Sequence, residues 1–169
     1  KEGVPEAEYE LPFGEPDVKK VGKDITFLTV GHTLYPALAA AKELEEKYGM
    51  TAEVIDARSL VPFNYEKVIE SVKKTGKIIV AGDATARGSF LNDFAANISQ
   101  LCFDYLDAPV VVLGSRNWIT PAYELESSFF PQVNWFLDMI NERIQPLAGY
   151  ISGQNFTNAE LIIRSKYKI

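Results

Sequence analysis

Between Ala52 and Gly88 the chain runs strand, turn, amphipathic helix, strand and Gly-rich turn, an order that few folds accept. Thr51-Ala-Glu-Val-Ile-Asp-Ala57 is a β-branched apolar run ending in Arg58-Ser-Leu-Val-Pro62. A helical pattern follows over 64–75, with Asn64 as its candidate N-cap, Val68, Ile69 and Val72 as its apolar stripe and Gly76 at its end. Lys77 to Ala81 then predicts another strand, followed by a turn from Gly82 to Ser89. Strands joined through a helix pair in parallel, because a tight hairpin cannot make that connection.

The same grammar continues on both sides. Ile25-Thr-Phe-Leu-Thr-Val30 has the unbroken apolar content of a strand buried on both faces. Leu34, Leu38, Ala41, Leu44 and Tyr48 mark one face of the helix after it, which Gly49 closes. Phe90 to Leu106 predicts a third helix, with Phe90, Phe94, Ile98, Leu101, Cys102 and Tyr105 in register, and Val110 to Leu113 a fourth strand. A short helix is expected over 122–127, and another from Pro131 to about Ile144. The expected organisation is an extended, acidic leading segment over 1–22, a domain over 23–144 and an extension over 145–169. Four alternations point to an α/β fold, a mostly parallel sheet with helices on both faces. Ligands of such sheets sit at the carboxyl ends of strands, here Gly31-His32, Asp56-Ala-Arg58, Gly82-Asp83 and Gly114-Ser-Arg116.

Composition removes several classes of function. A net charge of −6 argues against a nucleic-acid surface, since phosphates need clustered Lys and Arg. No apolar run approaches the roughly 20 residues that span a bilayer, so no membrane segment is expected. The single cysteine, Cys102, is expected as a buried thiol, which suits a reducing, cytoplasmic setting. The Asn97 and Asn155 glycosylation patterns are too short to carry weight. No signal or transit peptide is visible, and a start at Lys1 without Met reads as a piece of a longer polypeptide.

Reactive constellations are sparse. No G-x-G-x-x-G or P-loop pattern follows a strand, and one histidine with one cysteine leaves no zinc set. Gly82-Asp83-Ala84 begins like a Gly-Asp-Gly diphosphate motif, but the paired Asn residues that should follow are absent. His32 is readable as a proton shuttle or anion contact at a domain seam, or as a turn residue whose ring bonds the next helix's first amides. The order His-Thr-Leu favours the turn. Asp56 and Arg58 point to the same side, as an ion pair tying the turn. Asp83 and Arg87 are expected to pair across their Gly-rich turn. Asp107, in Leu106-Asp-Ala-Pro109, has no basic neighbour and is expected to be solvated, useful for docking a basic partner. Trp118, Phe129 and Phe130 are expected to be exposed and to suit a subunit seam in a homo-oligomer.

Several of these phrases, in this order, resemble the beta subunits of thiamine-dependent pyruvate and branched-chain 2-oxoacid dehydrogenases. They are Pro5-Glu-Ala-Glu-Tyr9, Leu11-Pro-Phe-Gly14, Gly22-Lys-Asp-Ile-Thr26, Glu53-Val-Ile-Asp-Ala-Arg-Ser-Leu-Val-Pro62, Ser71-Val-Lys-Lys-Thr-Gly76 and Leu106-Asp-Ala-Pro109. The likeness covers roughly residues 3–144. Transketolases and deoxyxylulose-phosphate synthases share the domain type. A free-standing flavodoxin-like binding domain is the bland alternative.

The resemblance implies a transketolase C-terminal-like, three-layer α/β/α fold around a five-stranded mixed sheet. It also implies that thiamine diphosphate and Mg are held by other domains of the parent dehydrogenase. This chain is then expected to bind no cofactor and to be inactive alone. Its implied work is to join subunits and to hold the binding domain of the dihydrolipoyl acyltransferase, with Asp107 facing a basic residue of that partner. His32, Asp56, Arg58 and Asp83 are candidates for the domain seam. Two departures stand out. Ser115-Arg-Asn-Trp-Ile-Thr-Pro121 replaces the usual Asp-x-Pro-x-Pro, and the chain continues past Ile144, near which family members tend to end.

Overall fold

The computed structural model of the protein describes residues 6–153. Five strands form one sheet: β1 (Asp17–Lys20), β2 (Ile25–Val30), β3 (Ala52–Asp56), β4 (Ile78–Thr85) and β5 (Val111–Ser115). Their order is β1-β3-β2-β4-β5, with β1 antiparallel to β3 and the other neighbours parallel. The five-stranded mixed sheet expected above is therefore the one observed.

Helices α1 (Leu34–Tyr48), α2 (Glu66–Thr75) and α3 (Phe90–Leu101) carry the crossovers. Short α4 (Glu126–Phe129) precedes α5 (Val133–Met139), which runs on as a π-helical turn, Ile140–Ile144. The alternation of side chains along each strand divides the core in two. Ile25, Phe27, Val54, Ile79 and Leu113 pack against α1 and α5, through Ala37, Ala41, Leu44 and Phe136. Leu28, Ile55, Ile78 and Val80 pack against α2 and α3, through Val68, Val72, Phe94 and Ile98. Cys102 lies in this second layer as a free, buried thiol.

Buried polar groups inside the layers are matched. Thr26 on β2 bonds both Ser71 (2.7 Å) and Thr75 (2.8 Å) of α2. This is why a strand buried on both faces tolerates a hydroxyl there. Glu53, nearly buried on β3, accepts from the Lys74 ammonium at 2.5 Å.

Asn64 stands where the N-cap was expected: its Oδ1 accepts from Glu66 N–H two residues on (3.0 Å), and Tyr65 between them already has helical backbone angles. Two expectations change. Residues 17–20, inside the extended leading segment, are the antiparallel edge strand. The third helix stops at Leu101, and a 3-10 turn at Phe103–Tyr105 follows. Leu101 (49% exposed), in the last turn of α3, and Tyr105, in the 3-10 turn, lie outside the core face to which the sequence pattern assigns them.

Within the first nine residues of the expected extension, Leu147 and Tyr150 anchor the chain to the domain. Leu147 is buried against the α1–α5 layer, and Tyr150 meets Tyr48 edge-on at 6.4 Å. The Tyr150 hydroxyl and Gly153 N–H both donate to fully buried Asp138, at 2.8 and 2.9 Å. Residues 154–169 lie outside the described part.

Burial, and then the bond to Asp138, raise the Tyr150 hydroxyl well above the ordinary tyrosine value. The folded state thus holds this proton more tightly than the unfolded chain. The corresponding stability is complete below about pH 10 and is lost as pH rises beyond it towards the folded value. Thermal unfolding between pH 8 and 11.5 should show wild type losing stability faster above pH 10 than Tyr150→Phe. Parallel curves would contradict this assignment.

Candidate functional site

Asp107 lies at the amino rim of the sheet, in the loop that leads into β5. Its backbone N–H donates to Gly76 O (2.7 Å), the residue that caps α2 in the left-handed region at φ +66°. A Cβ on Gly76 would sit 2.1 Å from one Asp107 carboxylate oxygen, so glycine lets that carboxylate lie directly over the helix end. Asp107 itself is exposed. The α2 carboxyl terminus, with its unpaired carbonyls, adds negative potential at this point. In the chain just before it, the end of α3 presents Leu101 and the 3-10 turn presents Phe103 (78% exposed) and Tyr105, with the Lys73 ammonium 5.0 Å from the Tyr105 ring centre. The result is an acid on a rigid base with apolar rings next to it.

The other candidates lie at the opposite, carboxyl rim. The turn reading of His32 has its ring bond the next helix's first amides; the bond made here instead runs from the His32 backbone to Asp83. The Asp83 carboxylate accepts from His32 N–H (3.0 Å) and from the Thr33 hydroxyl (2.7 Å), so Asp83 stitches the end of β4 to the turn before α1. The His32 ring is exposed and packs on Tyr35, with centroids 5.3 Å apart. Among the described residues no ion pair joins Asp83 to Arg87. Asp56 and Arg58 meet through the backbone alone, Arg58 N–H to Asp56 at 3.1 Å. The guanidinium reaches back to Asp17 on β1 at 2.6 Å, and Lys19 reaches the same oxygen at 2.6 Å. The Lys19 hydrogen bond is the main cause that holds the Asp17 carboxyl below its ordinary range. Arg58 adopts a left-handed φ of +60° to make that reach.

The seam residues, expected to be exposed, are corrected at Phe129 and at half-buried Phe130. Phe129 is 2% exposed, pinned by Phe130 (4.8 Å) and Trp118 (6.5 Å), whereas Trp118 stays exposed. The Phe129 carbonyl accepts from Arg116 N–H (3.0 Å), holding the 123–132 segment back across the carboxyl rim. That fold-back borders an open depression of about 460 Å3 between His32, Asp83, Tyr123, Glu124, Glu126 and Phe130. Sequence reasoning missed the second wall, whose residues stand some 40 positions from Asp83 and share no motif with it. A second depression, of about 620 Å3, lies between Tyr9, Leu11 and Phe13 and the Asp56–Ser59 turn.

The Gly82-Asp83 pair is not arranged as a diphosphate cradle. The Asp83 carboxylate is spent on the turn, and a Cβ on Gly82 would meet the Leu91 side chain at 2.9 Å rather than open space. Among the described residues no group of three His, Cys, Asp or Glu side chains could hold a metal ion. Nor is any helix there long and apolar enough to cross a membrane.

Comparison with known proteins agrees with the fold. Residues 14–135 match the transketolase C-terminal domain family. The chain is 44% identical over 107 residues to the 2-oxoisovalerate dehydrogenase subunit beta of Bacillus subtilis, covering 63% of this chain and 32% of that protein. It is 41% identical over 129 residues to the same organism's acetoin:2,6-dichlorophenolindophenol oxidoreductase subunit beta, covering 76% and 37%. Among solved structures, a split-gene transketolase described as an inactive beta4 tetramer superposes with a TM-score of 0.59 at 30% identity, covering 75% of this chain and 40% of that one. The chain spans about a third of the length of the curated relatives it matches. A match over most of the sheet and its crossover helices places this chain in the transketolase C-terminal domain family, similar to the beta subunits of 2-oxoacid dehydrogenases.

Proposed function

We propose that this chain is the scaffold domain of a thiamine diphosphate-dependent 2-oxoacid dehydrogenase of the branched-chain, 2-oxoisovalerate type. The parent enzyme decarboxylates the 2-oxoacid and acylates a lipoyl group. Thiamine diphosphate and Mg belong to its other domains or subunits. The observation that carries this reading is the 44% identity to a 2-oxoisovalerate dehydrogenase beta subunit.

In this reading residues 23–144 are the domain proper, 1–22 lead into it and supply its edge strand, and 145–169 extend it. The carboxyl rim, with His32, Asp56, Arg58 and Asp83, faces neighbouring domains. Exposed Trp118 suits a contact between copies in a homo-oligomer, and the superposable transketolase chain is itself described as a tetramer. The amino rim docks the binding domain of the dihydrolipoyl acyltransferase. An exposed Asp107 over a helix carboxyl end, flanked by Leu101, Phe103 and Tyr105, offers a basic partner both charge and apolar area. A cytoplasmic setting accords with the free thiol of Cys102.

The similarity to the acetoin oxidoreductase beta subunit supports a second substrate reading on the same architecture. Assaying the assembled enzyme with 2-oxoisovalerate and with acetoin separates the two. For the chain alone, incubation with thiamine diphosphate, Mg2+ and 2-oxoisovalerate should release no carbon dioxide above background. Turnover by the chain would overturn the scaffold reading.

A further inference from the structure

The carboxyl-terminal extension sets out beside the amino rim. Gln145 Oε1 accepts from the Lys77 ammonium (2.7 Å), and Lys77 directly follows Gly76, whose carbonyl holds the Asp107 N–H. From there the chain turns back along α5, where Gly153 N–H donates to Asp138 (2.9 Å). Asp138 stands about two helical turns before Gln145, roughly 10 Å away. The contacts that lead from Gly153 back to Asp107 therefore span on the order of 30 Å. Arg164 follows Gly153 by 11 residues, and an extended run of that length covers up to roughly 36 Å. Residues 154–169 are long enough to return to the amino rim of their own domain.

Charge and apolar pattern match at the two ends of that reach. On the domain, Leu101, Phe103 and Tyr105 are exposed, and exposed Asp107 follows them. The Asp107 carboxylate takes no hydrogen bond or ion pair from another described residue. The cations near it are engaged already: Lys73 over the Tyr105 ring, Lys74 on Glu53 and Lys77 on Gln145. Beyond Gly153, the apolar run Leu161-Ile-Ile163 is followed by Arg164, Lys166 and Lys168, and Glu160 is the only acid. An apolar run followed by cations complements apolar side chains followed by an acid without a partner.

We propose that residues 161–168 cover the amino-rim face of their own domain, the apolar run against Phe103 and the cations towards Asp107. They then compete with the acyltransferase binding domain for that face. The competition rests on the docking reading above; the contact itself does not.

A fluorescently labelled peptide of residues 154–169 is the probe, titrated by anisotropy at low ionic strength. A chain ending at Gly153, which keeps every described contact, should bind it saturably. Asp107→Ala in that shortened chain, with thermal unfolding close to its parent, should weaken binding about fivefold. The full chain, with its face already covered, should bind the peptide about fivefold more weakly than the shortened one. The acyltransferase binding domain should show the same preference for the shortened chain. Equal peptide affinity in full and shortened chains would overturn the proposal, as would a folded Asp107→Ala protein that binds undiminished. A difference that fades when the full chain is diluted would put the tail on a second copy, and overturn it too. Should the acyltransferase domain bind neither form, the docking reading fails, while the peptide titration still decides the contact.

Discussion

Gly22→Ala is expected to destabilise the protein by about 3 kcal/mol, the upper end of the usual cost of overpacking. A methyl at Gly22 would stand 2.2 Å from the Ala52 carbonyl carbon and 2.3 Å from Glu53 N, both backbone atoms. Neither segment can retreat. Asp24 N–H donates to Thr51 O (3.0 Å), and the Asp24 carboxylate takes the Thr51 N–H and hydroxyl at 2.7 and 2.8 Å. These bonds clamp the starts of β2 and β3 together, and the backbone bond from Thr51 is the leading cause that depresses the Asp24 carboxyl. The clash therefore opens the sheet rather than one side chain. For a chain of this length the loss corresponds to a fall in Tm of roughly 6–12 °C. Urea unfolding of the two proteins checks it; a difference below about 1 kcal/mol would show that the strand starts are loosely coupled.

Phe136→Ala should cost about 3–5 kcal/mol, because the ring is wholly buried and its loss leaves a cavity. Phe136 rests on Phe27 of β2 with ring centres 5.0 Å apart, joining α5 to the middle of the sheet. Helix α5 also carries Asp138, which holds Tyr150 and Gly153. Loosening it should free residues 145–153 as well, seen as faster amide exchange in that stretch. Leu101→Ala is the informative contrast. Half-exposed Leu101 should cost under about 0.5 kcal/mol, far less than the core place its helical period suggests would. Equal losses at the two positions would contradict the exposure of Leu101.

The central strands were legible because burial on both faces leaves an unbroken β-branched run, as in Ile25–Val30. The glycine caps at 49 and 76 were legible because each needs a left-handed φ that few residues adopt at no cost. Edge strand β1 was not. Asp-Val-Lys-Lys is four residues long, paired on one side and half exposed, so it carries neither a run nor an alternation. At the sites, the exposure of Asp107 could be read from its loop, but the Gly76 floor beneath it could not, being 31 positions away. Charge pairing misled for a related reason. Sequence places Arg58 beside Asp56, while the folded edge offers Asp17, 41 residues back, within reach of the guanidinium. Long-range partners follow from the register between strands, which no local pattern encodes.

Isothermal calorimetry of the chain with the subunit-binding domain of the dihydrolipoyl acyltransferase tests the docking role most directly. Saturable heat is expected for wild type. Asp107→Ala should weaken the affinity by tenfold or more, on the order of 1.4 kcal/mol, while its thermal unfolding stays close to wild type. Equal heats for the two proteins would remove Asp107 from the interface, and absence of heat with wild type would contradict docking on this domain.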